Sequence, residues 1–284
     1  MTIKCVVLDF DGTFTDVERE AAPFVSTFED AVSDLLGRDI KEAWRERGEE
    51  IAKNPGRYGW VHEGRIVAPS GADPYIRSTS IAQLLFDAFG VLRTPVTRAA
   101  ILQALYHMSY EQTLTAFRPF AKEVLEAIAA SGIPAFVVTN AKTDVALKKL
   151  TTLGPVGLDR IEVHGDARKF MVNEPETTNP LFERVPASIT LPGLERPVYP
   201  RRGRYFEALA RIMERTGAKP EEVIVCGDIY ELDLSLPVEL GMQVFMVTGP
   251  HAPAAHEVAF LGSLGPRASY GDDLRLILGR VGIG

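Results

Sequence analysis

Cysteine is scarce in this chain: 284 residues carry only Cys5 and Cys226. Each lies inside an apolar, strand-like run, so two buried free thiols are expected rather than a disulfide. That expectation suits a reducing cytoplasm. No uninterrupted apolar stretch reaches the length of a membrane span, and the N-terminus runs through Lys4 straight into a short strand, so neither a membrane partner nor a secretion signal is expected. Positive charge is in deficit. Thirty-one Lys and Arg against 38 Asp and Glu leave a formal charge of −7, which argues against nucleic acid as the main partner. Low-complexity tracts and internal repeats are absent as well. The rest is ordinary globular composition, 46% hydrophobic and 24% charged, enough for a substantial core. The length fits one core domain with a second, smaller one.

The chain's rhythm changes along its length. From residue 118 onward, short β-branched runs alternate with amphipathic helices. Ala121, Val124, Leu125, Ile128 and Ala129 share one helical face, which Gly132 and Pro134 end. Ala135–Thr139, Ile161–Val163, Val223–Cys226 and Val244–Val247 read as strands. Helices are predicted over Lys142–Leu150, around Phe206–Met213, and over Pro237–Leu240. This βαβα order implies a doubly wound parallel sheet, in which ligands bind beyond the carboxyl ends of the strands. Residues 17–117 interrupt the order and read as mostly helical. Phe24, Phe28, Val32, Leu35 and Leu36 form one apolar stripe, and Ile81, Leu84, Leu85 and Phe89 another. Thr94-Pro95 and Ser109 with Gln112 read as helix starts, and residues 60–67 as a hairpin turning at Glu63-Gly64. The domains expected are therefore a core of residues 1–16 and 118–284 and a helical insertion of 17–117. A second irregular stretch, about 170–202, carries six prolines. Val185, Ile189 and Leu191 suggest an edge strand there, and the stretch as a whole reads as a flap, a subunit arm or an ornament.

The chemistry starts at residues 5–13, a hydrophobic strand ending in Asp9-Phe10-Asp11-Gly12-Thr13. Side chains alternate along a strand, so Asp9 and Asp11 point the same way. Two adjacent carboxylates repel each other unless a cation or a reaction uses them. Gly12 allows a tight turn and brings its amide toward an anion. Three further groups occupy comparable positions. Ala135–Val138 delivers Thr139-Asn140, a hydroxyl before a helix N-terminus and a good phosphate hook. Glu222–Cys226 delivers Gly227-Asp228, with Asp233 five residues on. Arg201-Arg202-Gly203-Arg204 precedes the helix that leads to the strand of Asp228. Each alone is an ordinary turn, cap or solvated run; together, in order along one sheet, they describe a site.

With these motifs the chain resembles the haloacid dehalogenase-like (HAD) hydrolase superfamily. The resemblance rests on Leu8-Asp9-Phe10-Asp11-Gly12-Thr13, Val138-Thr139-Asn140, Arg202-Gly203 before a helix, and Gly227-Asp228-Ile229-Tyr230-Glu231-Leu232-Asp233. It implies an α/β fold, a Rossmann-like core with a mostly helical cap between the first two motifs, and an Mg²⁺-dependent phosphatase acting on a small phosphorylated metabolite. Asp9 would be the nucleophile and Asp11 the acid–base. Mg²⁺ would be held by Asp9, Asp11 through its backbone carbonyl, and Asp228, with Asp233 acting near the metal. Gly12, Thr139 and Asn140 would bind phosphate. A cation would complete the charge balance; Arg202 is the first choice, with Arg201 and Lys169 as rivals. Members that cleave carbon–halogen bonds lack the second aspartate, so Asp11 points to phosphate esters. Phosphate transfer within a sugar phosphate uses the same core residues, and a protein of this fold that binds a phosphorylated ligand without turnover is the third reading. The cap would close over the site, with Trp44, Arg45, Tyr58, Trp60, His62 and Arg77 as possible contributors.

Overall fold

The computed structural model describes residues 2–249 and 255–283. Among these are eight strands: β1 (Cys5–Leu8), β2 (Gly59–His62), β3 (Arg65–Pro69), β4 (Ala135–Val138), β5 (Ile161–His164), β6 (Val223–Gly227), β7 (Gln243–Val247) and β8 (Ala268–Gly271). Six of them form a sheet in the order β5-β4-β1-β6-β7-β8, with every neighbouring pair parallel. Helices flank it, which makes this a doubly wound Rossmann-like core. The first strand is central, paired to β4 on one side and β6 on the other. The alternation of side chains in β1 sorts it between two apolar layers. Cys5 and Val7 join one layer with the helix Gly203–Thr216, and Val6 and Leu8 join the other with Ala121–Ala130. Both faces of β1 are thus buried, as its unbroken apolar run requires. Cys5 and Cys226 are free and buried.

The chain divides into two compact units, residues 1–15 with 117–284, and residues 16–116. The second unit packs the helices Val17–Leu36, Lys41–Lys53, Pro74–Ala88 and Pro95–Tyr110 about Phe24, Phe28, Val32, Trp44, Ile81, Leu85 and Phe86, with the β2–β3 hairpin turning at Glu63-Gly64. Two local expectations fail here. Leu35 is 45% exposed, off the apolar stripe. Ser109 does not start a helix; it lies in the last turn of Pro95–Tyr110, because the apolar face carrying Leu102, Leu105 and Tyr106 continues through it.

The proline-rich stretch also differs from expectation. It contains one short helix, Pro180–Glu183, and a single antiparallel bridge between Ile189 and Val198 in place of an edge strand. Phe182, Val185, Leu191, Leu194 and Val198 are each 3% exposed or less and belong to the same layer as Cys5 and Val7. Through these side chains the stretch joins the core. No described helix is long and apolar enough to cross a membrane.

Candidate active site

Asp9, Asp228 and Asp233 meet where β1 and β6 end. Each offers one carboxylate oxygen, and the three oxygens lie within 4.8 Å of one another. The parallel pairing of Leu8 with Cys226 brings together two strand ends that lie 218 positions apart in sequence. Two glycines permit the crowding. Gly12, at φ +81°, passes so close to Asp228 that a Cβ there would lie 2.1 Å from its Oδ2; a Cβ on Gly227 would lie 2.4 Å from the Cβ of Asp233. Asp233 arrives on a short π-helical turn, Tyr230–Leu234, a geometry common at functional sites. Its Oδ2 accepts from the Ile229 amide at 3.0 Å, and its carbonyl accepts from the Tyr205 hydroxyl at 3.0 Å.

The cation in this cluster is Lys169. Its ammonium donates to Asp9 Oδ1 at 2.7 Å and to Asp233 Oδ1 at 2.8 Å, and its side chain is 1% exposed. Arg202, the first choice from sequence, lies elsewhere. It is fully buried and donates to the carbonyls of Tyr199 and of Lys169 itself. Arg201 is also committed, to Glu174 and to the carbonyls of Phe182 and Val185. The reason is topological. Lys169 follows β5 by five residues, on a loop tied to the end of β4 by Ala167 N–H to Thr139 O (3.0 Å) and Asp166 N–H to Ala141 O (2.8 Å). Asp166 and Arg168 both take positive φ to make that path. Arg202 begins a helix one layer behind and holds the lysine's backbone in place.

Electrostatics follow from the burial. Desolvation pushes the Asp9 carboxyl up from 3.8 to about 7, against the pull of Lys169 and with help from the Asp233 charge. Lys169 is also desolvated, but Asp233 and Asp9 outweigh that loss and move it upward, so it stays an ammonium. Burial draws the Arg202 guanidinium down to about 10.

The remaining expected residues are nearby with modified contacts. Asp11 accepts from Lys149 Nζ at 2.6 Å and from Thr139 Oγ1 at 3.4 Å. Thr139 is buried, and its Oγ1 also accepts from the Ala141 amide at 3.2 Å. The side-chain oxygen of Asn140 accepts from the Lys169 amide at 2.7 Å, so Asn140 also positions the lysine. The Gly12 amide, expected to face an anion, donates instead to Thr15 Oγ1 at 3.0 Å; Gly12 serves the site through its missing side chain.

Sequence reasoning gave no role to three residues at this edge. Thr13 donates to Asp9 Oδ2 at 3.0 Å and reaches Asp228 Oδ1 at 3.3 Å. Its position inside the first motif was the available signal. Arg118 donates to Gly12 O at 2.7 Å and to Thr248 O at 2.9 Å, tying the first loop to the end of β7. Lys149 is one of two adjacent lysines in the helix Thr143–Leu153 and carries no local cue. Of the possible contributors in residues 17–117, Arg45 pairs with Glu42 and Glu49, Tyr58 donates to Glu50, and Arg77 pairs with Glu18 at 3.3 Å. Trp44 is buried in its own unit's core.

A family model for haloacid dehalogenase-like hydrolases matches residues 3–236. The chain belongs to that hydrolase family. No curated protein matches it. Among solved structures, a predicted phosphoglycolate phosphatase from Haemophilus somnus is similar at 16% identity and TM-score 0.56, covering 98% of each chain. Magnesium-bound YfnB from Bacillus subtilis is similar at 13% identity and TM-score 0.55, covering all of both. A protein described as a β-phosphoglucomutase from Thermotoga maritima aligns at 14% identity and TM-score 0.52, covering 98% of this chain and all of that one. At such identities the likeness is one of fold.

The HAD family generally uses Mg²⁺, and the donor set here suits it. Three carboxylates with oxygens this close, and no sulfur or imidazole among them, are hard donors that could hold a small divalent cation.

Proposed function

We propose that this HAD hydrolase is a phosphoric monoester hydrolase working through an aspartyl-phosphate on Asp9, with a small phosphorylated metabolite as substrate. The observation that supports this most is the convergence of Asp9, Asp228 and Asp233 at the carboxyl edge of the sheet, with one buried ammonium bridging Asp9 and Asp233. Mg²⁺ held by Asp9, Asp228 and the Asp11 carbonyl, with Asp233 beside it, would supply charge neutralisation for the phosphoryl group.

The protein's own groups divide the rest. An Asp9 carboxylate oxygen attacks phosphorus, and the bond from phosphorus to the ester oxygen breaks. Asp11 gives its proton to the departing oxygen. It then takes a proton from the water that attacks the phosphorus and frees Asp9 and phosphate. Thr13 and Lys169 hold the two oxygens of Asp9, which fixes the carboxylate's rotation before attack. Lys169 then faces the charge that develops on the transferring group. Thr139 steadies Asp11 by donating its single hydroxyl proton to it, and would turn that proton to a phosphate oxygen when substrate binds. Asp11 also favours a phosphate ester over a carbon–halogen bond, since only the ester needs a proton donor at that position.

The test is phosphate release from a panel of phosphorylated metabolites and from p-nitrophenyl phosphate, with Mg²⁺ or with EDTA. Metal-dependent release that Asp9→Asn abolishes supports the proposal. Isomerisation of a sugar phosphate without net release would instead assign phosphoryl transfer. Tight phosphate-ester binding with no turnover would assign a binding role.

A further inference from the structure

The proline-rich stretch 170–202 reaches the acidic turn through Arg196. Burial alternates around Arg196: Leu194 and Val198 are buried, while Glu195 and Pro197 are exposed. Leu194 and Val198 enter the core. Arg196 lies between them, with a side chain only 10% exposed, and it meets Glu231, whose side chain is wholly buried. The contact is bidentate: Nη1 donates to Oε2 at 2.9 Å and Nη2 to Oε1. Glu231 lies within the π-helical turn, between Asp228 and Asp233. Its carbonyl accepts from Ser235 Oγ at 2.8 Å. The turn is therefore gripped on one side by Lys169 and Tyr205 through Asp233, and on the other by Arg196 through Glu231.

We infer that residues 170–202 are a brace for the acidic turn, with Arg196 as the positioning residue that holds Asp228 and Asp233 in register for the cation. The planar fork of an arginine suits this task, because two parallel hydrogen bonds fix the direction of the carboxylate as well as its distance. Burial raises the stakes: without the fork, the buried Glu231 carboxylate keeps the field of Arg202 but nothing that fixes its direction, and its shift carries the turn with it. The packing of Phe182, Val185 and Leu191 anchors the stretch from which Arg196 reaches. The part of this inference that concerns the cation rests on the function proposed above; the part that concerns the turn does not.

The test compares Arg196→Met with Val185→Ala. Val185 lies in the same stretch and the same core layer. Hydrogen exchange is read on the metal-free full chain. In Arg196→Met the amides of residues 228–234 exchange at least tenfold faster than in the parent, while Val185→Ala, at comparable loss of melting temperature, leaves them within about twofold. Mg²⁺ binding measured by calorimetry weakens about tenfold or more in Arg196→Met alone. Unchanged exchange in Arg196→Met, or equal acceleration in both variants, overturns the brace. If Arg196→Met does not fold, Glu231→Gln is read the same way, since it keeps the shape and removes the charge. A parent protein that binds no Mg²⁺ defeats the proposed function and leaves the exchange comparison to decide the brace.

Discussion

Replacing Asp9 with Asn should make the metal-free protein more stable at pH 8. Asp9 is buried between a single ammonium and a second carboxylate, and its pKa rises from 3.8 to about 7 on folding. A carboxyl raised in this way contributes most to stability below pH 4, where it is protonated in both states. That contribution is lost as pH rises through 7, because the unfolded chain ionises first. The full difference amounts to about 4 kcal/mol above pH 7, at about 1.4 kcal/mol for each pH unit. Near pH 5 only the portion between 3.8 and 5 has been lost, less than half of the whole. Asn keeps an oxygen for Lys169 and turns its NH2 to the Thr13 hydroxyl, which can accept, but forfeits the charge in the Lys169 contact, so a net gain of about 2–4 kcal/mol is expected at pH 8. That is a melting temperature higher by about 4–10 °C for a domain of this size. The assay is thermal unfolding of parent and Asp9→Asn in EDTA at pH 5 and pH 8. The gain should shrink by half or more at pH 5. A variant that melts below the parent at pH 8 would refute the reasoning, because it would show the Lys169–Asp9 pair to be net stabilising.

Other outcomes follow from single contacts. Lys169→Met should lower kcat for phosphate esters by about 10²–10³, and Lys169→Arg should recover little, since a guanidinium does not fit a slot built for one nitrogen 2.7 and 2.8 Å from two carboxylates. Asp11→Asn should cost about 10²–10⁴ in kcat/KM with an alkyl phosphate and far less with p-nitrophenyl phosphate, whose leaving oxygen needs no proton; equal losses on both would remove Asp11 from the acid role. Gly12→Ala should weaken Mg²⁺ binding in calorimetry, because the added methyl would sit 2.1 Å from Asp228 Oδ2 on a backbone at φ +81°. Cys5 and Cys226 should resist thiol reagents in the folded protein and react on unfolding, since burial pushes the Cys5 thiol up to about 12 and the Cys226 thiol higher still.

The four aspartates were legible in the sequence because strand ends announce themselves. Apolar runs bounded by Asp-x-Asp-Gly and Gly-Asp need only the period of two and the parallel-sheet rule to place them on one edge. The cation was legible only as one of three candidates, and Lys169 ranked behind Arg202 for a physical reason. Lys169 reaches the cluster by a loop with two non-glycine residues at positive φ, a path no local propensity signals. Thirty-three residues then separate it from Arg202, so a match counted from the following helix lands on the wrong basic residue. The prolines of that stretch read as irregularity, yet Phe182, Leu191 and Val198 pack as core between them. Lys149 was invisible because a lysine on an amphipathic helix is ordinary until the fold shows that its Nζ meets Asp11. Ser109 misled in the opposite sense: a good local start signal lost to the tertiary packing of the helix already running through it.

The most direct measurement is a structure of the protein with Mg²⁺ and beryllium fluoride, a mimic of a phosphoryl group bonded to a carboxylate. The account predicts beryllium on an Asp9 oxygen, the ion held by Asp9 and Asp228, and the Lys169 ammonium against a fluoride. Beryllium fluoride absent from Asp9 under conditions of turnover, or Lys169 turned away with Arg202 in its place, would contradict it.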